Sequence, residues 1–386
     1  MNTDCTGCNA CILRCPKHCI TIKKNFEGFS YPEIDENKCI HCNICKKVCH
    51  LSYGLRKGKN SELYAFVSHN MKFVKESSSG GFFPSVASRF LKEGGIIAAT
   101  YMDDNFEVKF GICRTVLELS RFCGSKYVQS ETNNIYSQVE NELKKEIKVL
   151  FVGTPCQIAG LKHFLFNEYP NLYTIDIICH GTPSQLYFHK YLDYLQKKLG
   201  TIKKFTFRDK SGYGLRCISS CSYIKNLSIK NKVLYNPHYN YYYFYMHADS
   251  FRECCYKCKY TNLTRISDIT IGDYWGIEKE AIKINPKNGV SAVLINTQKG
   301  KELFKLIHSK GEISKGSIKK FKAINTALLT PIQRKDSRNT LYKDLTSNDF
   351  YYLIKTRYRV STKQLIKGYI KAIIPSRLFF HIKKHV

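Results

Sequence analysis

Cysteines 5, 8, 11 and 15 follow the spacing C-x2-C-x2-C-x3-C, and Cys39, Cys42, Cys45 and Cys49 repeat it at an offset of 34 residues in all four positions. Thiolates this close together let three ligands from one turn-rich loop wrap a corner of an iron-sulfur cubane, while the fourth is carried onward to a second cubane. On that logic Cys5, Cys8, Cys11 and Cys49 hold one [4Fe-4S] cluster, and Cys15, Cys39, Cys42 and Cys45 hold the other. A pair of structural zinc sites is the competing reading and fits the motif less well.

The chain has 386 residues with 43% apolar, 13% aromatic and 24% charged content, enough for a sizeable core in two or three domains and inconsistent with general disorder. No apolar run approaches the roughly 18 residues of a bilayer-spanning helix, and the opening Met1-Asn2-Thr3-Asp4-Cys5 lacks the basic start of a signal peptide. The expected location is therefore cytoplasmic. A reducing compartment keeps thiols free, so the 18 cysteines point to metal ligation rather than to disulfides.

Between the two cysteine loops, Ile20–Lys23 and Tyr31–Ile34 flank a turn at Asn25–Gly28, the strands needed by a small two-fold-symmetric shell. The segment resembles the bacterial-type two-cluster ferredoxin module. His50 departs from it by standing where proline follows the last cysteine of the motif, which predicts a local adjustment without loss of the cluster. Cys19 lies outside the repeat and reads as a packed thiol.

After the first 57 residues the pattern changes. Leu63–Val67 predicts a strand, Ser77-Ser78-Ser79-Gly80-Gly81 a loop, Phe82 to Leu91 a helix, and Ile96–Ala99 the next strand. A Ser/Gly loop opening a helix offers N–H groups and hydroxyls at the positive end of the helix dipole, suited to a phosphate, although an ordinary N-cap has the same appearance. Gly124-Ser125-Lys126-Tyr127-Val128-Gln129-Ser130 adds a lysine, an aromatic ring and several polar groups, a mix that flavin contacts would use.

Two further strands, Lys148–Gly153 and Tyr173–Ile178, run into Thr154-Pro155-Cys156-Gln157 and Cys179-His180-Gly181. Both cysteines thus fall just past strand C-termini, where open α/β sheets place ligands. Joined with Cys255 and Cys258 of a later C-x2-C, they make a four-ligand set for a third cubane; buried unreactive cysteine is the competing reading for Cys156 and Cys179.

Ser79-Gly80-Gly81, residues 124 to 130, Gly153-Thr154-Pro155-Cys156-Gln157, Cys179-His180-Gly181 and Ser267-Asp268-Ile269-Thr270-Ile271-Gly272-Asp273-Tyr274-Trp275-Gly276 occur in that order. Together they resemble the family of coenzyme F420 hydrogenase/dehydrogenase beta subunits, in a form with a fused two-cluster ferredoxin. The resemblance implies FAD beside a [4Fe-4S] cluster. It assigns flavin contacts to Ser79, Gly80, Gly81, Gly124, Ser125, Lys126, Tyr127 and Thr154, and the third cluster to Cys156, Cys179, Cys255 and Cys258. Cys254 stands where serine is expected, which leaves the choice between Cys254 and Cys255 open. Cys113, Cys123, Cys217 and Cys221 match no motif and read as packing.

The expected fold class is α+β: a diferredoxin module at 1–57, an α/β flavin-binding region at 61–145 and 146–310, and a basic helical extension at 311–386. Two functions stay in play. One is an oxidoreductase passing electrons between clusters and an organic two-electron acceptor through FAD; the other is a polyferredoxin adaptor feeding a partner enzyme. Either implies a redox partner protein or carrier, and the first a small-molecule acceptor. The aromatic run at 235 to 245 reads mainly as packing.

The formal charge of +30 is uneven, since residues 351 to 386 hold nine basic side chains and no acid. Leu365, Ile366, Tyr369, Ile370, Ile373 and Ile374 recur at helical spacing among Lys363, Lys367 and Lys371, with Pro375 closing the pattern. This basic amphipathic helix suits an anionic membrane surface, an acidic partner or the protein's own body. Nothing resembles a base-reading module, so nucleic acid is not an expected partner.

Overall fold

The computed structural model describes residues 2–52, 62–210 and 217–373. The expected boundary at 57 to 61 and the stop at Pro375 lie outside the described residues.

The N-terminal module is built twice over. Short helices Ala10–Leu13 and Ile44–Lys47 each start from an asparagine in the left-handed region, Asn9 at φ 60° and Asn43 at φ 58°. Gly7 and His41, also left-handed, occupy the second matched pair of positions. The 34-residue repeat therefore extends to the backbone turns that bring each loop's sulfurs round. Strands β1 (Ile20–Lys24) and β2 (Ser30–Ile34) pair antiparallel from Ile20↔Ile34 to Lys24↔Ser30. Asn25 closes their turn by accepting hydrogen bonds from the Glu27 and Phe29 amides.

The body is an eight-stranded mixed sheet. Its strands are β3 (Glu62–Ser68), β4 (Ile96–Met102), β5 (Val108–Cys113), β6 (Val149–Gly153), β7 (Leu172–Ile177), β11 (Ile269–Asp273), β12 (Ser291–Ile295) and β13 (Gly311–Lys315). They lie in the order β13-β3-β12-β11-β7-β6-β4-β5, with β4, β6, β7 and β11 parallel and the flanking pairs antiparallel. Apolar residues fill both faces of the parallel strands, as a sheet covered on two sides requires. Ile97 and Leu150 enter one core with Phe82, Val86 and Phe304, while Ala98, Val149 and Phe151 enter the other with Ile158 and Phe164.

A smaller antiparallel sheet, β8 (Thr201–Thr206), β9 (Ser219–Lys225) and β10 (Ser228–Leu234), packs through an aromatic core. Tyr187, Phe188 and Tyr191 from the Gln185–Leu199 helix meet Phe205, Tyr241 and Phe244 there. The aromatic run thus packs as expected, although Tyr242 and Tyr245 also face a cavity.

The region from residue 311, expected as a basic helical extension, runs back onto the body. Residues 311–315 form β13, the sheet edge paired with β3, and Leu341, Phe350 and Tyr358 are buried in the aromatic core. Buried Arg338 donates from both terminal nitrogens to Glu27 at 2.6 Å, tying this region to the β1–β2 turn. The Thr362–Ile373 helix is largely exposed and rests Gly368 and Tyr369 on Tyr235 and Pro237.

Candidate functional site

Three groups of cysteines converge, and none of the 18 forms a disulfide. In the first, the Cys8 thiol is pushed up by burial and by Cys11, Cys5 and Cys49. Cys11 is pushed up to about 12 by burial and by Cys5, Cys49 and Cys45. In the second, Cys15, Cys39, Cys42 and Cys45 surround a cavity of about 190 Å³. Cys19, expected to be a plain packed thiol, lines that same cavity with its sulfur 3.3 Å from that of Cys15.

The third group forms at the C-terminal edge of the parallel strands. Pro155 at the first helical position starts the Pro155–Leu165 helix directly after β6, and the Thr154 amide is held by Gln157 Oε1 at 2.9 Å. Cys156 is therefore fixed in the first turn. Cys179 follows β7, and Cys255 and Cys258 come from the Glu253–Lys257 turn and the residue after it. Burial pushes Cys156 up to about 12, with Cys258 and Cys255 adding to it, and holds Cys179 well above the usual thiol range together with Cys255, Cys156 and Cys258. A hydrogen bond from Cys254 brings Cys255 down to about 7 against the effect of burial.

This donor set suits an iron-sulfur cluster. Buried sulfurs that resist ionisation for want of positive charge are what bound iron would convert to thiolates. The first group carries a similar sign: the Asn9 amide, next to Cys8, is buried with no hydrogen-bond partner among the described residues.

A cavity of about 500 Å³ runs from the third cysteine group to the Ser77–Ser79 loop and the start of the Phe82–Lys92 helix. Ser79, Gly81, Gly124, Ser125, Lys126, Tyr127 and Thr154 all line it. Phe82 and Phe83 also reach it, bringing the N-terminal amides of a helix that leaves its first donors without intrahelical acceptors. Such a helix end and its aromatic surroundings offer the kinds of group that a flavin nucleotide would use.

Several expected contacts differ in detail. Gly80 does not line the cavity: its amide donates to Ser291 Oγ, its carbonyl accepts from Ser68, and a β-carbon there would stand 2.1 Å from the Phe66 oxygen. Its glycine serves close packing of the loop on β3 and β12. Ser79 Oγ donates to the Val290 carbonyl at 2.6 Å. Lys126 spends its three donors on the carbonyls of Thr100, Phe122 and Cys123, so it shapes the wall and contributes charge without a donor to spare. Gly81 has φ 86° and would direct a β-carbon at Ser68, Phe73 and Val74, so a side chain there strains the loop rather than filling the cavity.

One group escaped the sequence reading. Buried Arg208 donates to Asp273 Oδ2 at 2.7 Å, to the Tyr127 hydroxyl at 3.0 Å and to the Ser78 carbonyl at 3.3 Å, locking together three segments that bound the cavity. Its only sequence signal was a charge beside β8, which usually means solvent. Arg252 acts likewise between the module and the body, donating to the carbonyls of Cys5 at 2.7 Å and Ser30 at 2.8 Å.

These features define a fused iron-sulfur protein with an α/β body built around a strand-end cavity. Residues 4–52 match the family described as 4Fe-4S dicluster domain, and residues 147–320 match the C terminus of the coenzyme F420 hydrogenase/dehydrogenase beta subunit. The chain joins these two domains in one polypeptide. It is 22% identical over 325 residues to a subunit of the F(420)H(2) dehydrogenase of Methanosarcina mazei, covering 80% of this chain and 84% of that protein. A chain from the xenon-derivatised F420-reducing [NiFe] hydrogenase complex of Methanosarcina barkeri shares 18% identity with a TM-score of 0.46, over 80% of this chain and 96% of that one.

Proposed function

We propose that the chain is an iron-sulfur flavoprotein oxidoreductase that exchanges electrons between three [4Fe-4S] clusters and an organic two-electron acceptor or substrate through FAD. The observation that carries this reading is the single cavity that opens at one end on Cys156, Cys179, Cys255 and Cys258 and at the other on the Ser79–Phe82 helix start. When bound, a flavin accepts electrons singly and releases them in pairs, the conversion that one-electron clusters need.

The chain's own residues hold and separate these groups. Helix-end amides at Phe82 and Phe83 would hold the phosphates, Tyr127, Tyr242 and Tyr245 would form an aromatic wall, and Trp275 stands beside Asp273 at the end of β11. Arg208 keeps Asp273 and Tyr127 in register. The adaptor reading, with no substrate site, gains from one observation: Ser79 Oγ and Lys126 Nζ already have partners. The curated relative is by name one subunit of a dehydrogenase, which supports a protein redox partner for this chain as well.

The tail supports contact with an anionic surface. Ile366 and Ile370, 55% and 51% exposed, form a ridge one helical turn apart, with exposed Lys363 and Lys367 beside it. Among the described residues no helix is long and apolar enough to cross a membrane. Anaerobic reconstitution with FAD followed by gel filtration tests the main reading. Retained stoichiometric flavin supports the oxidoreductase, and clusters without flavin leave the adaptor.

A further inference from the structure

His50 stands where the cysteine repeat has Pro16 in its first copy, and the structure shows what the imidazole does there. It is 5% exposed, and both ring nitrogens are engaged: Nε2 pairs with Thr6 Oγ1 at 2.9 Å and Nδ1 with the Tyr260 hydroxyl at 2.5 Å. The two rings lie 5.7 Å apart at 47°. Proline has no side-chain donor or acceptor, so the motif residue could form neither contact.

The two partners belong to different cysteine groups. His50 directly follows Cys49 of the first group, and Tyr260 lies two residues after Cys258 of the third. Tyr260 is in turn fixed from the body, its carbonyl accepting from Arg265 at 2.7 Å. Its ring lines the large cavity, and its hydroxyl is held well above the usual range by burial and by Cys156, Cys8, Cys258 and Cys49, two thiols from each group. A continuous route therefore runs from Cys49 through one peptide unit and one side chain, across a single short hydrogen bond, and along the chain to Cys258.

Resting on the three-cluster reading above, we infer that the His50–Tyr260 hydrogen bond is the coupling element that carries electrons between the cluster at Cys5, Cys8, Cys11 and Cys49 and the cluster at Cys156, Cys179, Cys255 and Cys258. The step is one electron leaving the first cluster, which is oxidised, and entering the other, which is reduced. No bond forms or breaks, and neither ring is oxidised. Electron coupling falls off less steeply along covalent bonds and hydrogen bonds than across a van der Waals gap. The competing route crosses the contact between Cys8 and Gly160 in the Pro155–Leu165 helix, which involves no bond.

The test uses the full chain, purified anaerobically, with Tyr260→Phe, His50→Leu and His50→Asn. Tyr260→Phe keeps the ring and removes the hydroxyl. His50→Leu removes the imidazole partner, whereas His50→Asn retains a polar atom close to the Nδ1 position. Iron and acid-labile sulfide are measured first, then midpoint potentials, and then the decay of the N-terminal cluster signals and the rise of the third-cluster signal by rapid-freeze EPR after substoichiometric dithionite. The loss of one signal in Cys156→Ser identifies the third cluster. Expected is a tenfold or greater fall in transfer rate in Tyr260→Phe and in His50→Leu, beyond what any change in potential explains, with His50→Asn close to wild type. An unchanged rate in either variant that retains its iron overturns the link alone. A wild-type chain without third-cluster iron removes the three-cluster reading and the link with it.

Discussion

Gly160, midway along the Pro155–Leu165 helix, lies so close to Cys8 that a β-carbon on it would stand 2.8 Å from the Cys8 Cβ and 3.0 Å from its sulfur. The Tyr136 hydroxyl, which donates to the Gln157 carbonyl, closes the same gap at 2.8 Å from that position. The helix that carries Cys156 in its first turn is thus also the seat of the first cysteine loop, and one glycine sets how closely the module approaches the body.

Gly160→Val should therefore force the Cys5–Cys11 loop away from the helix. We expect a loss of about 1 to 3 kcal/mol, the range for overpacking a filled site, together with reduced iron in the N-terminal module. Gly160→Ala should act in the same direction with a smaller effect. Thermal unfolding and iron analysis of the anaerobic protein check this; wild-type values for both in Gly160→Val would contradict it.

The Arg338–Glu27 pair makes the region after residue 311 part of the ferredoxin seat. Both groups are buried, and Arg338 Nε also donates to the Phe251 carbonyl at 2.9 Å. Arg338→Met should cost about 3 to 5 kcal/mol, because it leaves the Glu27 carboxylate buried without a partner. Adding Glu27→Gln should recover part of that loss, as denaturant midpoints would show.

Burial brings Lys126 down to about 8, from the ordinary lysine value of 10.5. Below pH 8 both folded and unfolded chains carry this charge, so the cost of burying it is constant. Between pH 8 and 10.5 the unfolded chain holds the extra proton, and this residue's contribution to stability rises with pH. The melting temperature of wild type should therefore gain on that of Lys126→Met across this window. Parallel curves would refute the assignment.

Vesicle binding tests the exposed ridge of the Thr362–Ile373 helix. Phosphatidylglycerol vesicles should pellet the full chain at low salt and phosphatidylcholine vesicles should not, each lysine near the surface contributing about 1 kcal/mol. The double variant Ile366→Asp, Ile370→Asp should bind at least tenfold more weakly. Equal binding to both lipids, or an unaffected double variant, would leave the ridge for a protein partner.

What was legible in the sequence was whatever is local. The cluster loops declare themselves because all their ligands but the exchanged cysteine lie within a few residues, and the strand-end positions of Cys156 and Cys179 follow from hydrophobic runs that stop abruptly. The matched left-handed pairs, Gly7 with His41 and Asn9 with Asn43, keep the same 34-residue offset but came to light only in the backbone angles. Long-range relations left no such trace. Nothing near Gly311 announces that five residues will pair with β3, since an edge strand of that length has little pattern of its own. Arg208 and Arg338 read as solvent charges until the fold supplies Asp273 and Glu27. The Ser/Gly loop, expected as a phosphate-suited helix opening, lines the cavity through Ser77, Ser78, Ser79 and Gly81, but the division of labour within it, with Gly80 packed against Phe66, required coordinates.

The most direct test of the central account is the cofactor content of the full chain after anaerobic reconstitution with iron, sulfide and FAD. The account predicts about twelve iron atoms and one FAD per chain, with Cys156→Ser losing about four iron atoms while the N-terminal eight remain. A wild-type chain that holds about eight iron atoms and releases all flavin on gel filtration would contradict it.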